Sequence, residues 1–473
     1  MKNSFYITTT LPYVNASPHI GFGLEIVEAD VIARYQRLQK KQVIFNTGTD
    51  EHGQKIYQQA LASNLEPQQY CDQFSALFSQ LKDQLNLSYD YFIRTTDPRH
   101  QEAAQHFWNL AQTNGDIYKA RYQTKYCVGC EMEKTESELT DGRCPIHPHL
   151  ELEMRDEENY FFRFSRYQKP LLSFYDQHPD FVEPESKMKE AVAFVKQGLH
   201  DFSISRVKSK MPWGISVPND PDQVMYVWFD ALVNYISTLG WPSDQSSFEQ
   251  YWPGVQVAGK DNLRQQAIMW QAMLMSVKLP LSAKILINGF ISINGEKMSK
   301  SKENVISPQQ MVDRYQSDAT RYLLISLGSF GQDMDVNWEK FDSKYTSDLA
   351  NGIGNLSSRI AKMSSQINLV FSTLEIAELN EYQQMMEKFQ LTQALAFILS
   401  EIKKCDLFLS QTQPWLQPIK KKESLLTEAI IRLRQIAQAL APFMPNLSAQ
   451  LLTHFSNQIK PISPLFPRLE SQK

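Results

Sequence analysis

No stretch of this sequence is long and apolar enough to cross a bilayer, and the opening segment MKNSFYITTTLPYVN has no sustained apolar run of the kind that directs secretion. These two absences give the expectation of a cytoplasmic chain without a membrane partner. Cysteine is scarce at five in 473 residues. The count is odd and three of the five fall within residues 127 to 144, which suits a metal better than disulfides. Cys71 and Cys405 read as ordinary thiols. Positive charge is not in surplus either, because 48 Lys and Arg stand against 52 Asp and Glu and leave a formal net charge of −4. Any contact with nucleic acid must therefore come from local basic patches. Internal repeats and low-complexity tracts are also missing.

What is present is the composition of a globular protein, with 42% apolar and 21% charged residues. The length exceeds one ordinary core, so two or three domains are expected. Residues 4 to 10 (SFYITTT) read as a strand, and a Pro-containing loop leads to HIGFGLEIVEADVIARYQRLQ, whose apolar residues recur at helical spacing. VIFNTGTDEHG follows as a second strand with a polar turn, completing one βαβ unit of a parallel sheet. Ligands of such sheets sit beyond the strand C-termini.

From about residue 116 to 225 the texture changes to short charged segments, a cysteine cluster and a Pro-rich stretch, which reads as an insertion. The α/β pattern returns over 226 to 344 with VMYVWFDALVNYIS, VQVAGKD and KILINGFIS. Beyond 345 the apolar spacing in LTQALAFILSEI and LLTEAIIRLRQIAQAL predicts an all-α bundle to residue 473.

His19-Ile20-Gly21 stands where the first loop enters the first helix, so backbone N–H groups and the helix dipole favour an anion there. Lys297-Met298-Ser299-Lys300-Ser301 follows the last α/β strand, and Asn294-Gly295 just upstream predicts a mobile turn that lets both lysines close over a polyphosphate. Either tract alone is weak, because a His-x-Gly is usually a packed histidine and a lysine run usually a solvated loop. In this order and spacing, together with TLPYVNASPHIG, GTDEHG, YVWFDALVNYIS, GKD and NGEKMSKSKEN, the chain resembles class I aminoacyl-tRNA synthetases, and among them the methionyl enzymes. The larger editing insertion of the isoleucine, valine and leucine enzymes has no room here.

The resemblance implies a Rossmann-like catalytic domain split into 1–115 and 226–344, an inserted zinc-knuckle domain at 116–225, and an anticodon-binding helical domain at 345–473. It further implies attack by the methionine carboxylate on the α-phosphate of ATP, supplied with Mg²⁺, and transfer of the methionyl group to tRNA(Met). Carried over position by position, His19, Lys297 and Lys300 stabilise the phosphates, Gly21 and Glu25 contact the nucleotide, and Gly259 with Asp261 forms the ribose-binding turn. The methionine pocket falls on Leu11, Tyr13, Asp50, Trp228, Ala231, Leu232, Tyr235, Gln266 and Trp270. The chemistry suits these types: a carboxylate for the substrate ammonium and aromatic edges for a thioether. Many relatives carry Ile, Phe and His where this chain has Asn262, Gln265 and Gln266.

Cys127-x2-Cys130-x13-Cys144-x2-His147 has the spacing of two knuckles that close a tetrahedron around Zn²⁺, with His149 as the alternative fourth ligand. Four protein ligands predict a structural zinc, one per chain. The resemblance agrees, although Cys is common among relatives at position 147. Asn355 and Arg359 share a helix face, and Trp415 follows Pro414; the resemblance makes these three the readers of a CAU anticodon. The chain ends shortly after the helical segment, which gives the expectation of a monomer.

Two other readings stay open on the sequence. Phe22, where most relatives have histidine, allows a tRNA-binding module without catalysis, because its ring can neither donate a hydrogen bond nor carry charge. Gln265 and Gln266 allow a ligase for another small apolar amino acid.

Overall fold

The computed structural model describes residues 3–134, 138–298, 304–371 and 379–469. The chain forms two compact units, one of Met1–Pro18, Gln42–Gln80 and Tyr89–Asn288, the other of His19–Lys41, Leu81–Ser88 and Gly289–Lys473.

The first unit is built on a six-stranded parallel sheet: β1 (Ser4–Thr9), β2 (Gln42–Thr49), β3 (Tyr91–Arg94), β7 (Val182–Glu183), β12 (Val255–Gly259) and β13 (Lys284–Asn288), in the order β3-β2-β1-β12-β13-β7. Its inner strands are aromatic and β-branched, and burial runs without a break from Tyr6 to Thr9 and from Ile44 to Thr49. That continuity is what covering both faces of a parallel sheet produces. The order reverses between β1 and β12, so the crevice at the C-terminal ends of β1, β2 and β12 is the topological switch point. Phe107, Trp108, Phe229, Trp252 and Trp270 form the aromatic heart of the core.

The insertion of the same unit is an antiparallel sheet of β4 (Ile117–Cys127), β5 (Met132–Lys134), β6 (Glu153–Phe162) and β8 (Phe202–Ser203), ordered β5-β4-β6-β8. The long β4–β6 pairing runs from Ile117↔Phe162 to Tyr126↔Glu153 and carries the cysteine turns at its far end. A smaller sheet joins β9 (Ser205–Val207), β10 (Ser216–Val217) and β11 (Asp220–Met225).

In the second unit the helices Ile20–Leu38 and Pro308–Ile325 share a buried ion pair, Asp30 with Arg321 at 2.8 Å, both side chains fully enclosed. Arg321 also donates to the carbonyls of Leu85, Pro442 and Phe443. This explains why the short segment Leu81–Ser88 belongs with the helices. Burial pushes the Asp30 carboxyl up, but Arg321 and Arg34 outweigh it and hold the group below the usual range. Helices Asn355–Ser365, Leu391–Thr412, Ile419–Leu440 and Pro445–His454 form the helical end, with Leu395, Ile398, Leu409, Ile430 and Leu433 buried at 3.6-residue spacing. β14 (Ile291–Ile293), β15 (Glu296–Lys297) and β16 (Met334–Val336) make a small sheet, ordered β15-β14-β16.

Among the described residues no helix is long and apolar enough to cross a membrane.

Candidate active site and metal site

At the switch point of the first unit, the chain leaving β1 runs beside the end of β2, where Tyr13 and Asp50 form a bridge and Asp50 donates its backbone N–H to Pro12 at 3.0 Å. The two acids of GTDEHG separate here. Glu51 is occupied by Arg94 at 2.6 Å, Thr49 at 2.8 Å and Thr96 at 2.6 Å. Asp50 is 1% exposed, and its Oδ1 has no hydrogen-bond partner among the described residues. Burial, then the neighbouring Asp230 and Glu131 carboxylates, push the Asp50 carboxyl well above the usual range, against a backbone N–H from His52. A buried carboxylate oxygen without a partner is costly, and a cationic ligand group removes that cost.

Tyr13 meets Trp228 edge-on, with ring centroids 6.2 Å apart. Trp228 lies on the short helix Val227–Ala231, which also places Ala231 and, just after it, Leu232, both buried. Leu11 is half-buried in the loop after β1. Tyr235 is buried against Trp270, with centroids 5.8 Å apart. The indole N–H groups of Trp228 and Trp270 also lack partners among the described residues.

Gln266 lies in a π-helical turn, Gln265–Met269, that leads into the helix Trp270–Ser276. Both ends of its amide are engaged: Nε2 donates to the Tyr235 hydroxyl at 2.7 Å and Oε1 accepts from Gln256 at 3.0 Å. Gln256 in turn accepts from Ser282 Oγ at 2.6 Å, and Gln271 donates to that same hydroxyl at 3.0 Å while accepting the Ser282 backbone N–H at 3.1 Å. Gly259 ends β12, and a Cβ there would come within 2.8 Å of the Asp261 carboxylate in the following turn.

Sequence reasoning missed two sets of residues in this unit. Asp230, fully enclosed, is shared by His52 at 3.0 Å and His100 at 3.3 Å, and His100 also meets Ser237 at 3.0 Å. Burial pushes the Asp230 carboxyl up, yet the two histidines hold it below the usual range. The second is Glu131, whose Oε2 accepts from the Tyr13 hydroxyl at 2.9 Å and whose Oε1 accepts from the Lys55 backbone N–H at 2.7 Å. Its partners are 118 and 76 residues away, so no local pattern marks it.

The cysteine turns bring Cys127, Cys130, Cys144 and His147 together, with one ligand atom from each lying within 4.8 Å of all the others. Cys130 Sγ stands 3.5 Å from Cys144 Sγ and 3.2 Å from His147 Nδ1. These separations match the edges of a tetrahedron with metal–ligand bonds of about 2.0–2.3 Å, so the donor set can hold a metal. His149, the alternative ligand, is outside the set, its ring centroid 6.2 Å from that of His147. Although burial pushes the Cys144 thiol up, backbone N–H groups of His147 and Ile146 hold it below its ordinary value and favour the thiolate a metal needs.

In the second unit His19 caps the helix Ile20–Leu38, its Nδ1 accepting the Gly21 backbone N–H at 3.0 Å. Glu25 and Phe22 are buried on that helix. Lys297 ends β15; Lys300 lies outside the described residues. The turn expected to be mobile is a hairpin turn with both Asn294 and Gly295 at positive φ. It is pinned, because Gly295 N–H donates to Asp335 at 2.6 Å and Asn337 donates to Asn294 at 3.0 Å. Asn355 is exposed and Arg359 is ion-paired with Asp406, both on the helix Asn355–Ser365, while Trp415 stands 45% exposed in the turn Pro414–Leu416.

A parallel sheet with a switch-point crevice, a cysteine-bearing insertion and a helical end agrees with the family comparison, in which residues 5–152 and 133–361 match the model of tRNA synthetases class I (M). The chain is a class I tRNA synthetase. It is 40% identical to the methionine–tRNA ligase of Thermosynechococcus vestitus, over 97% of this chain and 91% of that one, and 38% identical to that of Thermotoga maritima, over 97% and 76%. Methionyl-tRNA synthetase of Mycobacterium tuberculosis, solved in complex with methionyl-adenylate, superposes with a TM-score of 0.92 at 33% identity, covering 99% of this chain and all of that one. Within its class, the chain belongs to the methionine–tRNA ligases.

Proposed function

We propose that the chain activates L-methionine with ATP and Mg²⁺ and transfers the methionyl group to tRNA(Met) bearing a CAU anticodon. In the first step a methionine carboxylate oxygen attacks the α-phosphorus of ATP; a new O–P bond forms and pyrophosphate leaves. In the second, the terminal ribose hydroxyl of the tRNA attacks the adenylate carbonyl, losing its proton and displacing AMP. Both steps depend on positioning and charge stabilisation. The observation that carries the reading is the unpartnered, enclosed Asp50 oxygen beside the Tyr13–Trp228 pair. The carboxylate takes the ammonium and the ring edges take the thioether.

Leu11, Ala231, Leu232, Tyr235, Gln266 and Trp270 complete the methionine wall. Gly21 and Glu25, with Gly259 and Asp261, receive the nucleotide, and His19, Lys297 and Lys300 neutralise its phosphates. Cys127, Cys130, Cys144 and His147 hold one Zn²⁺, which supplies a structural cross-link. Asn355, Arg359 and Trp415 read the anticodon by stacking and edge hydrogen bonds. The chain works as a cytoplasmic monomer.

Methionine-dependent ATP–pyrophosphate exchange, run against a panel of amino acids, tests the reading. Exchange with methionine and a loss of about 10²–10³ on Lys300→Ala are expected, the cost of one transition-state contact. Retained tRNA binding with no exchange for any amino acid overturns it.

A further inference from the structure

We propose that Glu131 is a positioning residue through which the metal state of the cysteine knuckle sets the methionine affinity of the pocket. This rests on the reading above that Asp50, Tyr13 and Trp228 bind methionine. Glu131 follows the ligand Cys130 directly, is 1% exposed, and has φ +51, a left-handed conformation rare for a residue with a side chain. Such strain persists where the surroundings fix the backbone, and it gathers at functional sites. One carboxylate oxygen takes the Tyr13 hydroxyl at 2.9 Å and the other takes the Lys55 N–H at 2.7 Å, in the first turn of the helix Gln54–Ala62. Gly53, at φ +109, completes the seat: a Cβ there would lie 2.6 Å from Glu131 Oε2. The knuckle thus reaches the pocket through the buried Glu131 side chain, and Cys130, Glu131, Tyr13, Gly53 and Lys55 all lie in the first unit.

The coupling follows from the geometry. Metal–sulfur bonds fix the Cys127–Cys130 turn, and that turn holds the Glu131 backbone in its left-handed conformation. Without the cross-link the turn relaxes, the carboxylate leaves its seat, and Tyr13 loses the acceptor that keeps its ring edge-on to Trp228. Methionine, which needs that arrangement, binds more weakly. Coupling of two binding events is reciprocal, so methionine must tighten metal binding by the same factor. A hydrogen bond to a charged group corresponds to roughly tenfold or somewhat more in an equilibrium constant.

The test uses the full chain loaded with zinc. Equilibrium transfer of zinc to a chromogenic chelator is measured with and without saturating methionine, and methionine affinity is read from tryptophan fluorescence on loaded and stripped protein. In the native chain both measurements are expected to give the same factor, about tenfold. Tyr13→Phe, which removes the donor without touching the knuckle, and Glu131→Gln, which removes the charge at constant shape, are both expected to shrink that factor. Glu131→Ala is expected to abolish it, raising the methionine KM about tenfold while kcat moves by less than about threefold. Unchanged zinc transfer with methionine in the native chain, or full coupling retained in both Tyr13→Phe and Glu131→Gln, overturns the proposal. Trp228→Ala separates this failure from that of the pocket: normal methionine affinity in that variant overturns the pocket reading itself, whereas weakened affinity beside full coupling in the other two overturns the role of Glu131 alone.

Discussion

The methionine pocket and the helical end treat their polar and aromatic groups in opposite ways. In the pocket, Asp50 Oδ1 and the indole N–H groups of Trp228 and Trp270 are enclosed without partners among the described residues. At the helical end, Trp415 is 45% exposed and Arg359 is already paired with Asp406. A small ligand has few atoms with which to gain affinity, so its site is enclosed and mostly apolar, with a few polar groups that the ligand completes. A polymer brings many contacts, so its site needs reach and a flat ring to stack on. Defects in the first surface should therefore show with the small substrate alone, and defects in the second only when tRNA is present.

The largest effect expected is from Cys144→Ala, because filling a structural zinc site contributes on the order of 10 kcal/mol to local folding. Elemental analysis should find no zinc, and proteolysis should open residues 117–162 while the helical end stays protected. Full metal content in that variant breaks the assignment. Next, Asp50→Asn should weaken methionine binding by about 1.5–3 kcal/mol, the worth of a hydrogen bond to a charged group, as seen in the KM of pyrophosphate exchange. Trp415→Ala should cost about 1–3 kcal/mol in aminoacylation of tRNA and leave exchange unchanged. Equal loss in both assays erases the contrast between the two surfaces.

The smallest effect expected is one of pH. Burial, Asp230 and Glu131 hold the Asp50 carboxyl above its ordinary value, so the empty pocket carries a cost that sets in as pH rises from the ordinary carboxylate range to the raised one. Only the ionised carboxylate pairs with the substrate ammonium. The methionine KM should thus rise as pH falls through that window, and the thermal stabilisation by methionine should grow as pH rises through it. Asp50→Asn should flatten both trends; a slope that survives belongs to another group.

Much of this was legible in the sequence because it is local. The β-branched run of β1, the helical spacing of Ile20–Leu38 and the two short metal-ligand spacings each announce themselves within a few residues. What was hidden depends on distant partners. Glu131 reads as one more acid in a charged segment until the fold brings Tyr13 and Lys55 to it. Asp230 reads as a helix residue until His52 and His100 arrive. The π-helical turn at Gln265–Met269 has the same apolar rhythm as an α-helix, and the Asn294-Gly295 turn looks free until Asp335 and Asn337 hold it.

The amide chain behind Tyr235 works as a one-way wire. The Ser282 backbone N–H can only donate, so it forces Gln271 to present its oxygen there and its nitrogen to the Ser282 hydroxyl. That hydroxyl, already accepting from Gln271, donates its own proton to Gln256 at 2.6 Å, so Gln256 presents its oxygen there and turns its nitrogen to Gln266. Gln266 then has only its nitrogen left for Tyr235. One peptide proton therefore sets the polarity of the whole relay, and none of the links between it and the tyrosine carries charge. A histidine in place of Gln266 would make that wall answer to acidity near neutrality; four neutral side chains keep it deaf to pH, leaving Asp50 to give the pocket its own acid response.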